Sequence, residues 1–391
     1  MAKRGGIGRR IRKAVRDLLI VALVYPVCWL FKIRFLNVHV VRIGHLAVDT
    51  DCYLKAGKLG LRPDYRTVLL APPDRVANAC LLDYWAQYLK VVRSPVLCGL
   101  LKPLTRHRNT RYDVSDYTMP LADRAGAYEI QNAYAGRAPL LSLTAEDRTR
   151  CSTLLRKLGV PGDAWFVCVH AREDGYAPHE GQWYRNSEIA DYSLAMRAIV
   201  DRGGWVIRMG DPTMKPIAEA DHVIDYVHST LRSEHADVIL AASCRFFLGC
   251  TSGLYCVSHV FGKPSVTVNK APLGFVLPHG PNDIGIPKLV WSIKEERQLH
   301  FEEVLGSELG ILRYDYQFDA AGVRMVDNDP EDIEEAAREM LDWLDGRSVY
   351  TDRDRELQEK FKSLMNPAHY SYGSLSRVGR DFLRKHAALL E

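Results

Sequence analysis

Five short apolar runs, rich in β-branched and aromatic residues, punctuate the stretch from Trp165 to Pro272, and each stops on a polar cluster. WFVCVH stops on His170, Arg172, Glu173 and Asp174. WVIRMGD stops on Arg208, Gly210 and Asp211, and DHVIDY stops on Asp225 and Tyr226. RFFLGCTSG stops on Thr251, Ser252 and Gly253, and PSVTVN on Asn269. Longer amphipathic runs lie between several of them: NSEIADYSLAMRAIVDR, EHADVILAAS and LYCVSHVFG. Short β-rich runs alternating with helical ones predict βαβ units and an α/β fold with a parallel sheet. Ligands of such sheets bind outside the carboxyl ends of the strands. The polar clusters fall at those ends, which points to an enzyme or a nucleotide binder.

The same pattern, less regular, precedes this stretch. Val38 to Ile43 alternates as a strand would, Gly44 breaks it, and a helix is expected from near Asp49. RTVLLAPP reads as a second strand and VANACLLDYWAQYL as the helix after it. RSPVLCGLLKPLTRHRNTRYDV reads as loop with a short strand. Pro and Gly around APLLSLTAEDRTR mark a change of domain, where Thr144 is placed to cap a helix. After Asn269 the pattern is irregular to about Asp329. DPEDIEEAAREMLDWLDG then predicts a helix, with Pro330 at its start and Gly346 at its end. ELQEKFKSLM and LSRVGRDFLRKHAALL predict two more.

The amino terminus is different. Lys3, Arg4, Arg9, Arg10, Arg12, Lys13 and Arg16 precede an apolar run, Leu18 to Phe31, which Pro26 interrupts. The run is shorter than the roughly twenty residues a bilayer-spanning helix needs, and no clear cleavage site follows it. A helix lying in the membrane interface is expected, with Trp29 and Phe31 in the lipid and the basic residues on anionic headgroups. A short span and a core helix with a basic leader are the alternatives.

With 391 residues the chain is long for one domain and comfortable for two. Apolar content of 47% and charge of 26% are globular values. A net charge of +4, without a basic patch interleaved with aromatics, argues against nucleic acid. The nine cysteines show no CxxC or zinc-like spacing and read as thiols of a reducing compartment, which favours the cytoplasm.

The chemistry follows from the clusters. His170 and Arg172 are two apart beyond a strand, so both can face one crevice. The planar fork of arginine suits phosphate. Arg208 ends the neighbouring run, and the Thr251-Ser252-Gly253 turn is placed to open a helix, whose amino end favours anions. Together these can hold a diphosphate without a metal. In the competing reading, Arg172 and Arg208 are merely paired with Asp174 and Asp211. Neither a GxGxxG fingerprint nor a Walker A loop is present, against nicotinamide enzymes and P-loop kinases. Asp49-Thr50-Asp51 has the shape of a DxD metal motif but reads better as a helix cap, so no metal is expected. His45, at a turn after a strand, is a candidate general base, with Asp49 and Asp174 as the other catalytic candidates. A structural histidine is the alternative.

These residues carry a resemblance. RNSEIADYSLAMRAI, GGWVIRMGDPTMKP, VIDYVHS, SEHADVILAASCRFFLGCTSGL and FGKPSVTVN resemble a family of bacterial glycosyltransferases found with surface-polysaccharide genes, and RIGHLAVDTD does so more loosely. The wider likeness is to GT-B enzymes, with two Rossmann-like halves facing each other across a cleft. VHARED is similar to the His-x-Arg element of the fucosyltransferase branch, which implies Arg172 on the donor diphosphate. The resemblance further implies Thr251, Ser252 and Gly253 at the phosphates or nucleoside, and Asp225 and Tyr226 near the base or ribose. With the basic and apolar residues 1–36 read as the membrane-associating segment, it implies an acceptor domain at 37–150, a nucleotide-sugar donor domain at 151–345 and helices at 346–391 returning to the acceptor domain. The implied activity is transfer from a nucleotide-sugar to a lipid-linked or polysaccharide acceptor, peripheral on the inner membrane face. A polysaccharide pyruvyltransferase on the same scaffold and a non-catalytic nucleotide- or glycan-binding module are the alternatives.

Overall fold

A computed structural model describes residues 4–107, 111–113, 126–175 and 181–391. The chain divides into two compact units, Met1–Asp116 and Tyr117–Glu391.

The first unit contains α1 (Arg4–Leu30), β1 (Ile33–Asn37), α2 (Ile43–Lys58), β2 (Arg66–Leu70), α3 (Ala79–Trp85), β3 (Lys90–Val92), α4 (Pro95–Leu101) and β4 (Arg111–Asp113). Its strands form a parallel sheet in the order β3-β2-β1-β4. The chain fills one side of β1 first and then crosses to the other, so the order reverses between β1 and β4.

Several elements of this unit differ from those the sequence predicts. The first strand is Ile33–Asn37 and not Val38–Ile43, and Gly44 lies in the first turn of α2 instead of breaking a strand. Strand IRFLN is short, and its burial does not alternate because α1 covers it. Val21, Val24 and Cys28 of α1 pack with Ile33, Phe35, Val68, Leu70, Leu101 and Leu104. A boundary after residue 36 would therefore cut through β1. Asp49, Thr50 and Asp51 lie inside α2, buried, and cap nothing. The segment after Arg93 is helical, not loop: α4 is followed by a 3₁₀ turn, Lys102–Thr105.

The other face of α1 is apolar and exposed. Ile11, Val15, Leu19, Leu23, Val27 and Leu30 recur at three- and four-residue steps along it. Among the described residues no helix is long and apolar enough to cross a membrane.

The second unit opens with α5 (Gly126–Tyr134) and α6 (Ala145–Lys157). Thr144 caps α6 as expected, accepting from the Asp147 amide at 3.1 Å. There follow β5 (Phe166–His170), α7 (Ser193–Asp201), β6 (Trp205–Arg208), β7 (Val223–Ile224), α8 (Glu234–Ser243), β8 (Phe247–Gly249), α9 (Tyr255–Val260) and β9 (Ser265–Lys270). Each of the five apolar runs thus contains a strand. They belong to a parallel sheet in the order β14-β10-β9-β8-β5-β6-β7. The chain runs from β5 to β7 in one direction and returns to the other side of β5 with β8, so the order reverses between β5 and β8. Gly249 makes this junction close: a Cβ there would lie 2.7 Å from the His170 carbonyl oxygen.

The region that reads as irregular is ordered. It holds β10 (Ile284–Pro287), β11 (Leu289–Ser292), β12 (Arg297–Gln298), α10 (Phe301–Leu305), α11 (Asp315–Ala320) and β13 (Val323–Val326). Strands β11, β12 and β13 form a small antiparallel sheet. Then come α12 (Pro330–Leu344), α13 (Asp352–Ser363), β14 (Arg377–Val378) and α14 (Arg380–Lys385). The tail helices belong to the second unit. Leu357, Phe361, Val378, Phe382 and Leu383 bury themselves in the second unit's core, against Phe301 and the apolar face of α12.

Candidate functional site

The carboxyl ends of β5, β6, β8 and β9 carry most of the expected site residues, and the structure gives them unequal jobs. Arg208 is fully buried; both terminal nitrogens of its guanidinium are engaged, while Nε has no partner among the described residues. The guanidinium donates to Asp225 Oδ1 at 3.0 Å, to Glu173 Oε1 at 3.0 Å and to the Lys215 carbonyl at 3.0 Å. Glu173 also accepts from the Lys215 amide at 2.8 Å, and Asp225 from the Ile217 amide at 3.3 Å. Arg208, Glu173 and Asp225 therefore brace the ends of β5, β6 and β7 to one another. Tyr226 is likewise fully buried, its hydroxyl accepting from the Ser233 amide at 3.2 Å. Gly210 has φ +156°, and a Cβ there would lie 2.2 Å from Met214 Sδ, so it serves the turn.

His170 is buried at the end of β5, and burial lowers its pKa to about 4. It is neutral near pH 7. With Nδ1 3.0 Å from the Met209 carbonyl, which can only accept, Nδ1 carries the proton. Arg172 is nine-tenths buried or more and donates to the Gln182 carbonyl at 3.0 Å and to Asn186 Oδ1. Asn186 Nδ2 in turn donates to Asp174 Oδ1. Arg208 thus pairs with Glu173 and Asp225, and Asn186 bridges Arg172 to Asp174. Asp211 closes its own turn, accepting from the Thr213 amide at 2.9 Å.

The loop that Arg172 holds brings in Arg185, a residue the sequence pattern does not mark. Arg185 Nε donates to the Thr251 carbonyl at 3.1 Å, and it forms no ion pair with any described residue. Thr251 Oγ1 accepts from the Ala271 amide at 3.2 Å, tying the turn after β8 to the end of β9. Ser252 Oγ is buried without a hydrogen-bond partner among the described residues. The helix after this turn, α9, has only six residues, so its dipole contributes little.

The second unforeseen residue is Lys270, the last of β9. It is buried, donates to the Tyr255 hydroxyl at 3.0 Å and forms no ion pair with any described residue. Burial, with a smaller contribution from the nearby Arg185, lowers its pKa to about 8. A buried ammonium with a neutral partner, beside a second cation and an unpartnered hydroxyl, is arranged for an anion. A lysine closing the apolar run SVTVNK is a signal the sequence offers. Arg185 has none, because its place depends on the 3₁₀ turn Trp183–Arg185.

The catalytic candidates separate by unit. In the first, His45 Nδ1 is 2.9 Å from Asp49 Oδ2, one helical turn away. Asp49 is buried, which raises its carboxyl pKa, while the bond from His45 lowers it in part. The carboxylate orients the ring and leaves Nε2 of a partly exposed imidazole to act, the arrangement a general base needs. Asp51 is spent on Lys55 Nζ at 2.7 Å. Among the described residues no group of His, Cys, Asp and Glu is placed to hold a metal ion. Asp174, in the second unit, is exposed and engaged with Asn186.

No family model and no curated protein matches the sequence. Solved structures to which the chain is similar include E. coli ADP-heptose lipopolysaccharide heptosyltransferase II, at 13% identity over 60% of this chain and 84% of that one, TM-score 0.39. A family 9 glycosyl transferase from Veillonella parvula matches at 12% identity over 60% of this chain and 79% of that one, TM-score 0.38. An E. coli heptosyltransferase solved with ADP matches at 13% identity over 65% of this chain and 91% of that one, TM-score 0.35.

Proposed function

We propose that the chain is a metal-independent, nucleotide-sugar-dependent glycosyltransferase of GT-B type, acting on a lipid-linked or polysaccharide acceptor in surface glycan synthesis. The second unit is the donor unit in this reading, and the first, with His45 and Asp49, is the acceptor unit. The observation that carries it is the pair Arg185 and Lys270, free of carboxylates among the described residues, beside Ser252 where the sheet order reverses. A nucleotide diphosphate is the anion that suits a reversal point of a parallel sheet, and two cations with a hydroxyl stabilise it as a leaving group. Arg172 supports this site by holding the loop that carries Arg185.

Titration calorimetry with a series of nucleoside diphosphates tests the reading. One of them binds wild type, with EDTA making no difference, and Lys270→Met weakens it by about 1.5–3 kcal/mol. The affinity of wild type also falls as pH rises through about 8, because Lys270 loses the charge the anion needs and its pKa sits there when the site is empty. Lys270→Met removes that slope. No response to any nucleotide sinks the donor reading and favours the pyruvyltransferase or binding-module alternatives.

In the same reading the exposed stripe of α1 rests on the cytoplasmic face of the membrane. Leu19→Ser with Leu23→Ser should reduce co-sedimentation with vesicles, leaving the melting temperature unchanged because both side chains are exposed. Unreduced sedimentation places the attachment elsewhere. Substitution is the right test, since truncation before residue 37 removes most of β1.

A further inference from the structure

The first unit has a cavity of its own, at the carboxyl ends of β1 and β2, walled on the far side by α4 and the Lys102–Thr105 turn. Its volume is about 680 Å³. Arg75, Lys102 and Arg106 line it, and none of the three forms an ion pair with a described residue. Asp74 is on the same wall. His39 lines it too, and its ring lies 5.3 Å from that of His45, so the cavity adjoins the His45–Asp49 pair.

The wall has a second property. The outer face of α4 exposes Val96, Leu97 and Leu100, at 77%, 48% and 47%. The turn that carries Lys102 packs on α1, with Leu101 and Leu104 in the same cluster as Val21, Val24 and Cys28. Two helices with exposed apolar faces thus meet at the turn whose ends bear Lys102 and Arg106. Apolar surface beside cations is the pattern of a membrane interface, where the apolar part enters the acyl region and the cations meet phosphate. Here the cations line a cavity instead of a flat face.

We infer that this cavity takes the terminal phosphate of a membrane lipid. A terminal phosphate carries close to two negative charges near neutral pH and three free acceptor oxygens, enough for three cations. A phosphodiester, singly charged and with two free oxygens, offers less to three cations. That the lipid is also the acceptor rests on the glycosyltransferase reading above; the binding itself does not.

The discriminating probe is a pair of phosphatidylcholine vesicles matched in surface charge, one containing phosphatidic acid and the other phosphatidylglycerol. The basic residues of α1 respond to surface charge and treat the two alike. A cavity for a terminal phosphate does not. The full-length protein should sediment with phosphatidic acid vesicles about tenfold more tightly than with phosphatidylglycerol ones. Arg75→Gln, Lys102→Gln and Arg106→Gln together should abolish the difference and leave the common, charge-driven binding. All three side chains are exposed, so the melting temperature should hold; should it drop, Lys102→Gln alone must still shrink the preference several-fold. Equal binding of the two vesicles by wild type, or an undiminished preference in the variants, overturns the inference. Nucleotide affinity measured on the same preparations keeps the two readings apart: lipid preference without nucleotide binding fails only the donor site, and the reverse fails only this one.

Discussion

His45→Ala should lower turnover by about 10²–10⁴-fold, the usual worth of a positioned general base, while nucleotide diphosphate affinity stays at the wild-type value. The separation is expected because His45 belongs to the first unit and the proposed diphosphate ligands to the second. Asp49 holds the ring through Nδ1 at 2.9 Å, so Asp49→Asn keeps a hydrogen-bonding group but removes the charge that stabilises the imidazolium. It should show a smaller loss than His45→Ala. The His45 side chain is about a third exposed, so its removal should leave the melting temperature close to wild type. Single-turnover rates and melting curves on both variants decide the matter. Full turnover in His45→Ala removes it from the chemistry and leaves Asp174 as the next base to test. A loss of activity that tracks a loss of stability makes His45 structural.

The second large effect is on stability. Arg208→Met should destabilise the second unit by about 3–5 kcal/mol, because it leaves the buried carboxylate of Glu173 without its cation and takes the arginine from the partly buried Asp225. The whole network, not the arginine, is what the fold tolerates or lacks. Combining Arg208→Met with Glu173→Gln and Asp225→Asn should therefore recover much of the loss. Urea unfolding of the single and triple variants gives both numbers. An Arg208→Met protein as stable as wild type but unable to bind the nucleotide would return Arg208 to the donor site.

The contrast between Arg208 and Lys270 shows how much of the site the sequence could reveal. Both sit at carboxyl ends of buried strands, and by pattern alone Arg208 is the better phosphate ligand. The structure gives Arg208 two carboxylates from other elements and gives Lys270, among the described residues, the Tyr255 hydroxyl and no carboxylate. Whether a cation is spent or available depends on which acids the tertiary fold brings to it. Glu173 and Asp225 are 35 and 17 residues from Arg208, and no local spacing announces them. His45 and Asp49 are the opposite case. Their four-residue separation becomes a contact as soon as the segment is helical, yet the local pattern puts them on a turn and a cap. Gly44 reads as the end of a strand, and the strand in fact ends at Asn37.

By itself the sequence determined the parallel α/β core of the second unit. Five runs of β-branched and aromatic residues, alternating with amphipathic ones, leave no other way to bury both faces of the strands. It also determined the capped helices at Thr144 and Pro330, because capping is decided within one turn. Only the tertiary structure decided where the chain divides, which core receives the last forty residues, and which charges stay unpaired at the strand ends. Leu357, Phe361, Phe382 and Leu383 would satisfy any apolar surface, and the second unit's helices and strands supply it. Period and propensity act over a few residues. Partner choice is set by contacts between elements far apart in the chain, so the sequence shows which residues can do chemistry and the fold selects which of them are left to do it.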